Sequence, residues 1–212
     1  MKLLALSTSG LTASAALFVD GAPAGEVYGG NDLTHSETVM TLADELLSSH
    51  GLTPADMDGF AADTGPGSFT GVRIGVCAVN AMGFALTKPV YGVCSLRAMA
   101  FGLSNSVCSI IDRRNRNIYA ALYLDGSELL PPAALSFDEF IKKVPCGTVF
   151  TGSFQPFEED ILSAVSGAKF LRENRLTAVN VGAAALLGCR PQSSVMPMYL
   201  VPSQAERLHK KA

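Results

Sequence analysis

The stretch of this 212-residue chain best equipped for chemistry is Asp63-Thr64-Gly65-Pro66-Gly67-Ser68-Phe69-Thr70-Gly71-Val72-Arg73-Ile74-Gly75. It follows an apolar run, Phe60 to Ala62, and opens into a longer one that ends near Leu86. Glycine-bared amides at a helix N-terminus attract anions, so the first reading is a phosphate cradle. The details argue against it. A Walker loop needs a lysine before Ser or Thr to reach the phosphates and magnesium, and Gly67-Ser68-Phe69-Thr70 has no lysine. A dinucleotide fingerprint needs its third glycine where Thr70 stands, and Gly71 comes one place late. Ser68 or Thr70 reads better as the N-cap of the helix that follows.

Other chemistries are equally poorly supplied. His35, His50 and His209 are far apart, and no H-x-x-x-H or H-E-x-x-H pair offers a metal site. No G-x-S-x-G elbow presents a nucleophilic serine. The remaining polar cluster is Asp112-Arg113-Arg114-Asn115-Arg116-Asn117, between two predicted strands. Arg113, Arg114 and Arg116 together have the chemistry to grip a phosphate. A solvated charged turn has the same composition, and both readings stand.

Composition narrows the function classes. With 48% hydrophobic and 17% charged residues the chain is globular rather than disordered. A net charge of −3 gives no basic field for strong nucleic-acid binding by the chain alone. Five scattered cysteines without a C-x-x-C pair read as reduced thiols, which leads to a cytoplasmic expectation. The opening Met1 to Leu6 is too short for a signal h-region, and Asn80 interrupts the longest apolar run, Val72 to Leu86.

The elements that must position these residues follow from periodicity and punctuation. Strands are expected at Leu3–Ser7, Ser14–Val19, Ala24–Tyr28, Phe60–Ala62 and Val90–Val93. Helices fall at Ser36–Ser49, Thr70–Thr87 and Leu96–Leu103. The second half repeats that order. Its strands are Val107–Asp112, Ile118–Leu124, Glu128–Leu130, Thr148–Thr151 and Ala168–Phe170, and its helices Ser136–Lys143, Pro156–Val165 and Thr177–Leu187. Ser136 with Glu139 forms a predicted capping box. A second box, Ser203 with Glu206, predicts a short terminal helix. The fold class is therefore α/β, with two β-β-β-α-β-α-β-α lobes. Residues 1–103 would form the N-terminal lobe, 104–197 a smaller C-terminal lobe, and 198–212 a segment packing back on the first.

The helix from Thr70 to Thr87 has no broad polar face. Arg73, Asn80 and Thr87 form a single narrow stripe. Gly71, Ala78 and Ala85 recur at the same spacing, with Gly75 and Ala81 beside them. Each glycine costs about 1 kcal/mol of helix propensity, so close packing against another backbone is the expected reason for it. Either a neighbouring helix of this chain or a partner's helix would fill such a seam. The amphipathic Ser36–Ser49 helix, with Val39, Met40, Leu42, Ala43, Leu46 and Leu47 on one face, is the natural neighbour in both cases.

Gly65-Pro66-Gly67-Ser68-Phe69-Thr70-Gly71-Val72-Arg73-Ile74-Gly75 resembles the G-P-G-S-F-T-G-L-R-I-G hallmark of the bacterial TsaB family, also called YeaZ. His35-Ser36-Glu37, the strand pair around Asp112-Arg113-Arg114 and Ile118–Tyr123, and Met198–Glu206 are similar to further segments of that family. The resemblance implies an ASKHA fold, the actin-like pairing of two ribonuclease-H-like lobes. It implies a role in making N6-threonylcarbamoyladenosine at tRNA position 37, as the non-catalytic partner of the threonylcarbamoyltransferase TsaD, with the ATPase TsaE and with tRNA reached through the complex. ATP and metal are then expected on the partner subunits and no cofactor on this chain. The implied docking residues are Val39, Ala43, Leu46, Gly71, Val72, Gly75, Ala78, Val79, Met82 and Ala85, a surface through which the chain alone would also pair with itself. No membrane contact is implied.

The chain departs from the family in two places. Ser7-Thr8-Ser9 stands where the family has D-T-S, which removes a carboxylate suited to magnesium. Arg116-Asn117 replaces an acidic E-V. The rival reading is an enzyme in its own right, a stand-alone ASKHA-type phosphotransferase or a peptidase.

Overall fold

A computed structural model describes residues 1–29 and 35–201, with only the backbone of 35–38. Five strands build the first sheet: β1 (Lys2–Ser7), β2 (Ser14–Val19), β3 (Ala22–Tyr28), β4 (Gly59–Asp63) and β5 (Val90–Val93), in the order β3-β2-β1-β4-β5. β1, β2 and β3 are antiparallel, while β4 and β5 run parallel to β1. The second sheet comprises β6 (Ser106–Asp112), β7 (Asn117–Leu124), β8 (Ser127–Ser136), β9 (Val149–Gly152) and β10 (Lys169–Phe170). Its order, β10-β9-β6-β7-β8, and its strand directions reproduce the first sheet. The helices complete the repeat: α1 (His35–Ser49), α2 (Phe69–Leu86) and α3 (Ser95–Ala100) in the first half, α4 (Phe137–Phe140), α5 (Glu158–Ala164) and α6 (Ala178–Gly188) in the second.

The layers follow from what each helix can bury. α1 and α2 pack on one face of the first sheet, α1 over β2 and α2 over β4. The outer core there joins Leu4, Leu6 and Phe60 to Val39, Leu46, Val72 and Val79. α6 lies on the other face of the same sheet although it follows β10, while α3 follows β5 yet lies on β6 and β7 of the second sheet. The two halves thus exchange their last helices, and these touch each other at the centre of the molecule. Small side chains permit this. Ala178, Ala184 and Ala185 are buried, and a Cβ at Gly182 would stand 2.2 Å from the Phe18 ring. On the outer face of the second sheet an aromatic cluster of Phe137, Phe140, Phe150, Phe154 and Phe157 holds α4 and α5.

The terminal helix of each half is tied across to the other half by polar capping. Glu26 Oε1 and Ser14 Oγ accept from the amides of Val179 and Ala178 at the start of α6. Arg175, just before α6, donates to the carbonyls of Met99 and Phe101 at the end of α3. Helix ends carry unpaired backbone groups, and these contacts satisfy them.

Three elements differ from expectation. β8 runs for ten residues and not three, through Pro131 and Pro132. It is an edge strand, where proline's missing donor is tolerated, and its register on β7 shifts opposite the prolines. Ser136 precedes α4 as expected, but its hydroxyl makes no capping bond. α3 stops at Ala100, with its last carbonyls taken by Arg175. The helix expected from the Ser203–Glu206 box, together with His209, lies outside the described residues, as do the side chains of His35, Ser36 and Glu37.

Candidate functional site

The glycine-rich motif joins β4 to α2, and its first residue is its most enclosed polar group. Asp63 is fully buried at the end of β4. Its carboxylate accepts from the Thr8 amide at 3.1 Å, the Ser7 hydroxyl at 3.1 Å and the Ser9 amide at 3.2 Å. The Ser9 hydroxyl also donates to it, and contacts the Ser95 hydroxyl at 2.9 Å at the start of α3. Burial pushes the Asp63 carboxyl above the usual carboxylate range, while the donations from Ser9, Thr8 and Ser7 pull it back. One carboxylate therefore fixes the whole β1–β2 turn.

That turn occupies the space in front of the glycines. The Ser68 amide donates to the Ser9 carbonyl at 2.8 Å, and Thr8 Oγ1 donates to the Gly71 carbonyl at 2.7 Å. A Cβ at Gly67 would stand 2.6 Å from the Ser9 carbonyl oxygen, and one at Gly71 only 2.0 Å from that of Thr8. At Gly75 it would stand 2.5 Å from Thr8 Oγ1. The glycines let α2 approach its own chain. Of the two candidate caps, Ser68 is used: its Oγ accepts from the Gly71 amide.

A magnesium nucleotide, which the fold type brings to mind, does not fit the turn. The three hydroxyls of Ser7, Thr8 and Ser9 are directed at Asp63 and Gly71, and the one nearby carboxylate is sealed under them. Among the described residues no three His, Cys, Asp or Glu side chains converge as a metal set. Burial also raises the thiols of Cys94, Cys108 and Cys189, which disfavours the nucleophilic thiolate.

α2 itself has three covered sides and one open one. It faces the first sheet and α1, and the segment before Tyr199 runs along a third side. Asn80 and Val195 exchange two hydrogen bonds of 2.9 Å, from Asn80 Nδ2 to the Val195 carbonyl and from the Val195 amide to Asn80 Oδ1. Arg73 Nε donates to Tyr199 Oη at 2.7 Å, and its guanidinium lies 3.9 Å over the Phe69 ring, which stacks on Tyr199. The narrow polar stripe thus receives this chain's own C-terminal segment, a role that Arg73 and Asn80 did not reveal by type. α2 has the length and composition of a membrane span, but only 39% of it is buried, so the enclosure accounts for the apolar residues turned to the sheet and α1 and not for those on its open side.

The expected docking residues need correcting for position. Val39, Ala43, Leu46, Gly71, Val72, Gly75, Val79 and Met82 are buried inside the chain, because α1 and α2 turn them toward each other, the sheet and Thr8. Ala78 is partly buried and Ala85 exposed. The open side of α2 carries Cys77, Ala81, Phe84 and Ala85, with Phe84 88% exposed. On α1, Met40 is exposed, not part of the buried face. The i, i+4, i+7 spacing of Cys77, Ala81 and Phe84 was the available signal.

The arginine cluster also separates. Arg114, Asn115 and Arg116 all take positive φ in the β6–β7 turn. Arg113 stacks over Tyr119, 4.5 Å from the ring centre. Arg116 pairs with Asp138 and Asp160, which ties the turn to α4 and α5 and holds its guanidinium above its ordinary value. Only the exposed Arg114 has no side-chain partner among the described residues. A convergent three-arginine phosphate grip is not formed.

The family profile described as "TsaD: tRNA N6-adenosine threonylcarbamoyltransferase" matches residues 32–148, more than half of the chain. The chain belongs to this family. The resemblance to TsaB (YeaZ) holds as well. The tRNA threonylcarbamoyladenosine biosynthesis protein TsaB of Bacillus subtilis is 27% identical over 80% of this chain and 78% of its own length. An uncharacterised Mycobacterium tuberculosis protein is 35% identical over 47% of each chain, so the match spans about half the length of such relatives. YeaZ from Pseudomonas aeruginosa superposes with a TM-score of 0.75 at 25% identity, over 94% of this chain and 99% of that one. A dehydratase activator from Clostridium difficile, solved with bound ADPNP, shares the fold alone. Its TM-score is 0.55 at 8% identity, over 88% of this chain and 93% of that one. The fold is of the ASKHA type.

Proposed function

We propose that this chain is a non-catalytic subunit in the synthesis of N6-threonylcarbamoyladenosine at position 37 of tRNAs that read ANN codons. It docks on a TsaD-type threonylcarbamoyltransferase through the open side of α2 and the neighbouring surface of α1. The observation that carries this reading is the contrast along α2. The glycine motif at its start is filled by the chain's own Thr8 and Ser9, while more than two helical turns further on Phe84 stands 88% exposed beyond Cys77 and Ala81. A large exposed apolar side chain set in a contiguous strip of small apolar ones fits an interaction surface. The names of the TsaB relatives support the pathway. In this reading ATP and metal belong to the partner subunits, including the ATPase TsaE, tRNA is reached through the complex, and the setting is cytoplasmic. The two halves serve as lobes of one scaffold.

The test is co-purification with the transferase, with mass measured by light scattering. Phe84→Asp is expected to abolish the heterodimer while shifting folding stability by no more than about 0.5 kcal/mol, the usual range for a surface change. The same variant would dissolve a homodimer formed through this side. A heterodimer that survives Phe84→Asp and Ala81→Arg together removes the docking assignment.

A further inference from the structure

The open side of α2 borders on a single charge. Cys77, Ala81 and Phe84 continue toward the start of the helix into Arg73 and Thr70, at steps of three and four residues, and all five are exposed. Such steps place neighbours in one row along a helix. Arg73 is the only charged residue between Phe69 and Leu86. Among the described residues no carboxylate forms an ion pair with it.

Arg73 is nevertheless held in place. Its Nε donates to Tyr199 Oη at 2.7 Å, and its guanidinium carbon lies 3.9 Å from the centre of the Phe69 ring and 5.7 Å from that of Tyr199. Both rings remain open to solvent, at 44% and 47%. The C-terminal segment that brings Tyr199 there is stitched down before it arrives. Gln192 exchanges two backbone bonds with Val90, Val195 two with Asn80, and the Met198 amide donates to the Thr64 carbonyl at 2.7 Å. Ordering a long side chain costs conformational entropy. Here the fold meets that cost before any partner binds, which is preorganisation. The two outer nitrogens, Nη1 and Nη2, make no hydrogen bond among the described residues.

In the docking reading of α2, Arg73 passes from water into the edge of a protein contact. A guanidinium desolvated without a counter-charge is strongly penalised, and α2 has no acidic residue to supply one. We propose that the transferase supplies it, with an Asp or Glu that closes on Nη1 and Nη2 of Arg73 as a bidentate pair between the Phe69 and Tyr199 rings. The inference rests on the docking reading and names what the partner must present. An apolar strip lies opposite Cys77, Ala81 and Phe84, and one carboxylate opposite Arg73.

The test is heterodimer affinity with the TsaD-type transferase, measured by calorimetry at low and high salt. Arg73→Gln should weaken binding about tenfold or more, the scale of one lost hydrogen-bonded charge, and should flatten its salt dependence. Arg73→Lys keeps the charge and loses the fork, so it should retain the parent's salt slope at an intermediate affinity. Asn80→Ala loosens the C-terminal segment but leaves the charge, and should also retain that slope. If Arg73 merely positioned the segment, Arg73→Gln would retain it too, and that result overturns the anchor. Unchanged affinity of Arg73→Gln, with Phe84→Asp still abolishing the heterodimer, overturns the anchor and leaves the docking face standing. A heterodimer that survives Phe84→Asp and Ala81→Arg together removes the face and the anchor with it.

Discussion

Replacing Gly71 with alanine sets two opposed effects against each other, and the structure decides which wins. Alanine is the better helix former by about 1 kcal/mol, so a glycine that merely sits in a helix should be improved by the change. At this position the new Cβ would stand 2.0 Å from the Thr8 carbonyl oxygen, and real Cβ atoms essentially never come within 3.0 Å of such a neighbour. Backbone lies on both sides of the contact, so the start of α2 must retreat by roughly 1 Å or more. That displacement breaks the Ser68 amide to Ser9 carbonyl bond at 2.8 Å and the Thr8 hydroxyl to Gly71 carbonyl bond at 2.7 Å. Each net bond contributes about 1 kcal/mol, and a buried group left unpaired costs about 1–3 kcal/mol. The balance is a destabilisation of about 1–3 kcal/mol after the helix gain is subtracted. Urea unfolding should show a lower midpoint at unchanged slope, and Tm should fall by roughly 2–10 °C. A Gly71→Ala protein as stable as the parent, or more so, would refute the close approach and return the glycine seam to a partner.

Three further outcomes follow from single side chains. Asn80→Ala should free the C-terminal segment by removing both bonds to Val195, with faster amide exchange at Val195 and a loss of about 1–3 kcal/mol. Asp63→Asn cannot accept from Thr8 and Ser9 on both sides at once, so thermal unfolding should show a marked loss of stability at neutral pH. Tyr28 donates to Glu26 at 2.6 Å, and its phenol is pushed up to about 12 by burial, by that bond and by the carboxylate's charge. A pKa raised in the folded state gives stability that is complete below pH 10 and lost as pH climbs through 12. Ultraviolet titration should therefore find a late phenol near pH 12, distinct from the still more strongly raised, buried Tyr123, and Glu26→Gln should bring the Tyr28 step down.

The order of elements was legible because each half announces its strands by short apolar runs and its turns by Asp20-Gly21 and Asp125-Gly126. β8 was not, since two adjacent prolines mask an edge strand whose pairing is set by β7. The capping box at Ser136 satisfied its pattern, but its hydroxyl makes no capping bond. At the site, the length and apolarity of α2 were readable from composition. The direction of each side chain was not, because small residues recur on its buried and its open sides alike.

The residue types alone determined a two-fold repeated α/β chain of the TsaB kind, a glycine motif without the lysine of a nucleotide site, and a first turn with Ser7 in place of a carboxylate. Tertiary structure alone decided what those glycines touch. Positions 8 and 71 are far apart in sequence, and only the pairing of β1 with β4 brings the Thr8 carbonyl under the start of α2. The same long-range packing exchanged α3 and α6 between the sheets, turned Val39 and Val79 inward, and left Phe84 facing out. Local periodicity fixes which residues share a face. Which face meets water depends on what the rest of the chain brings against it.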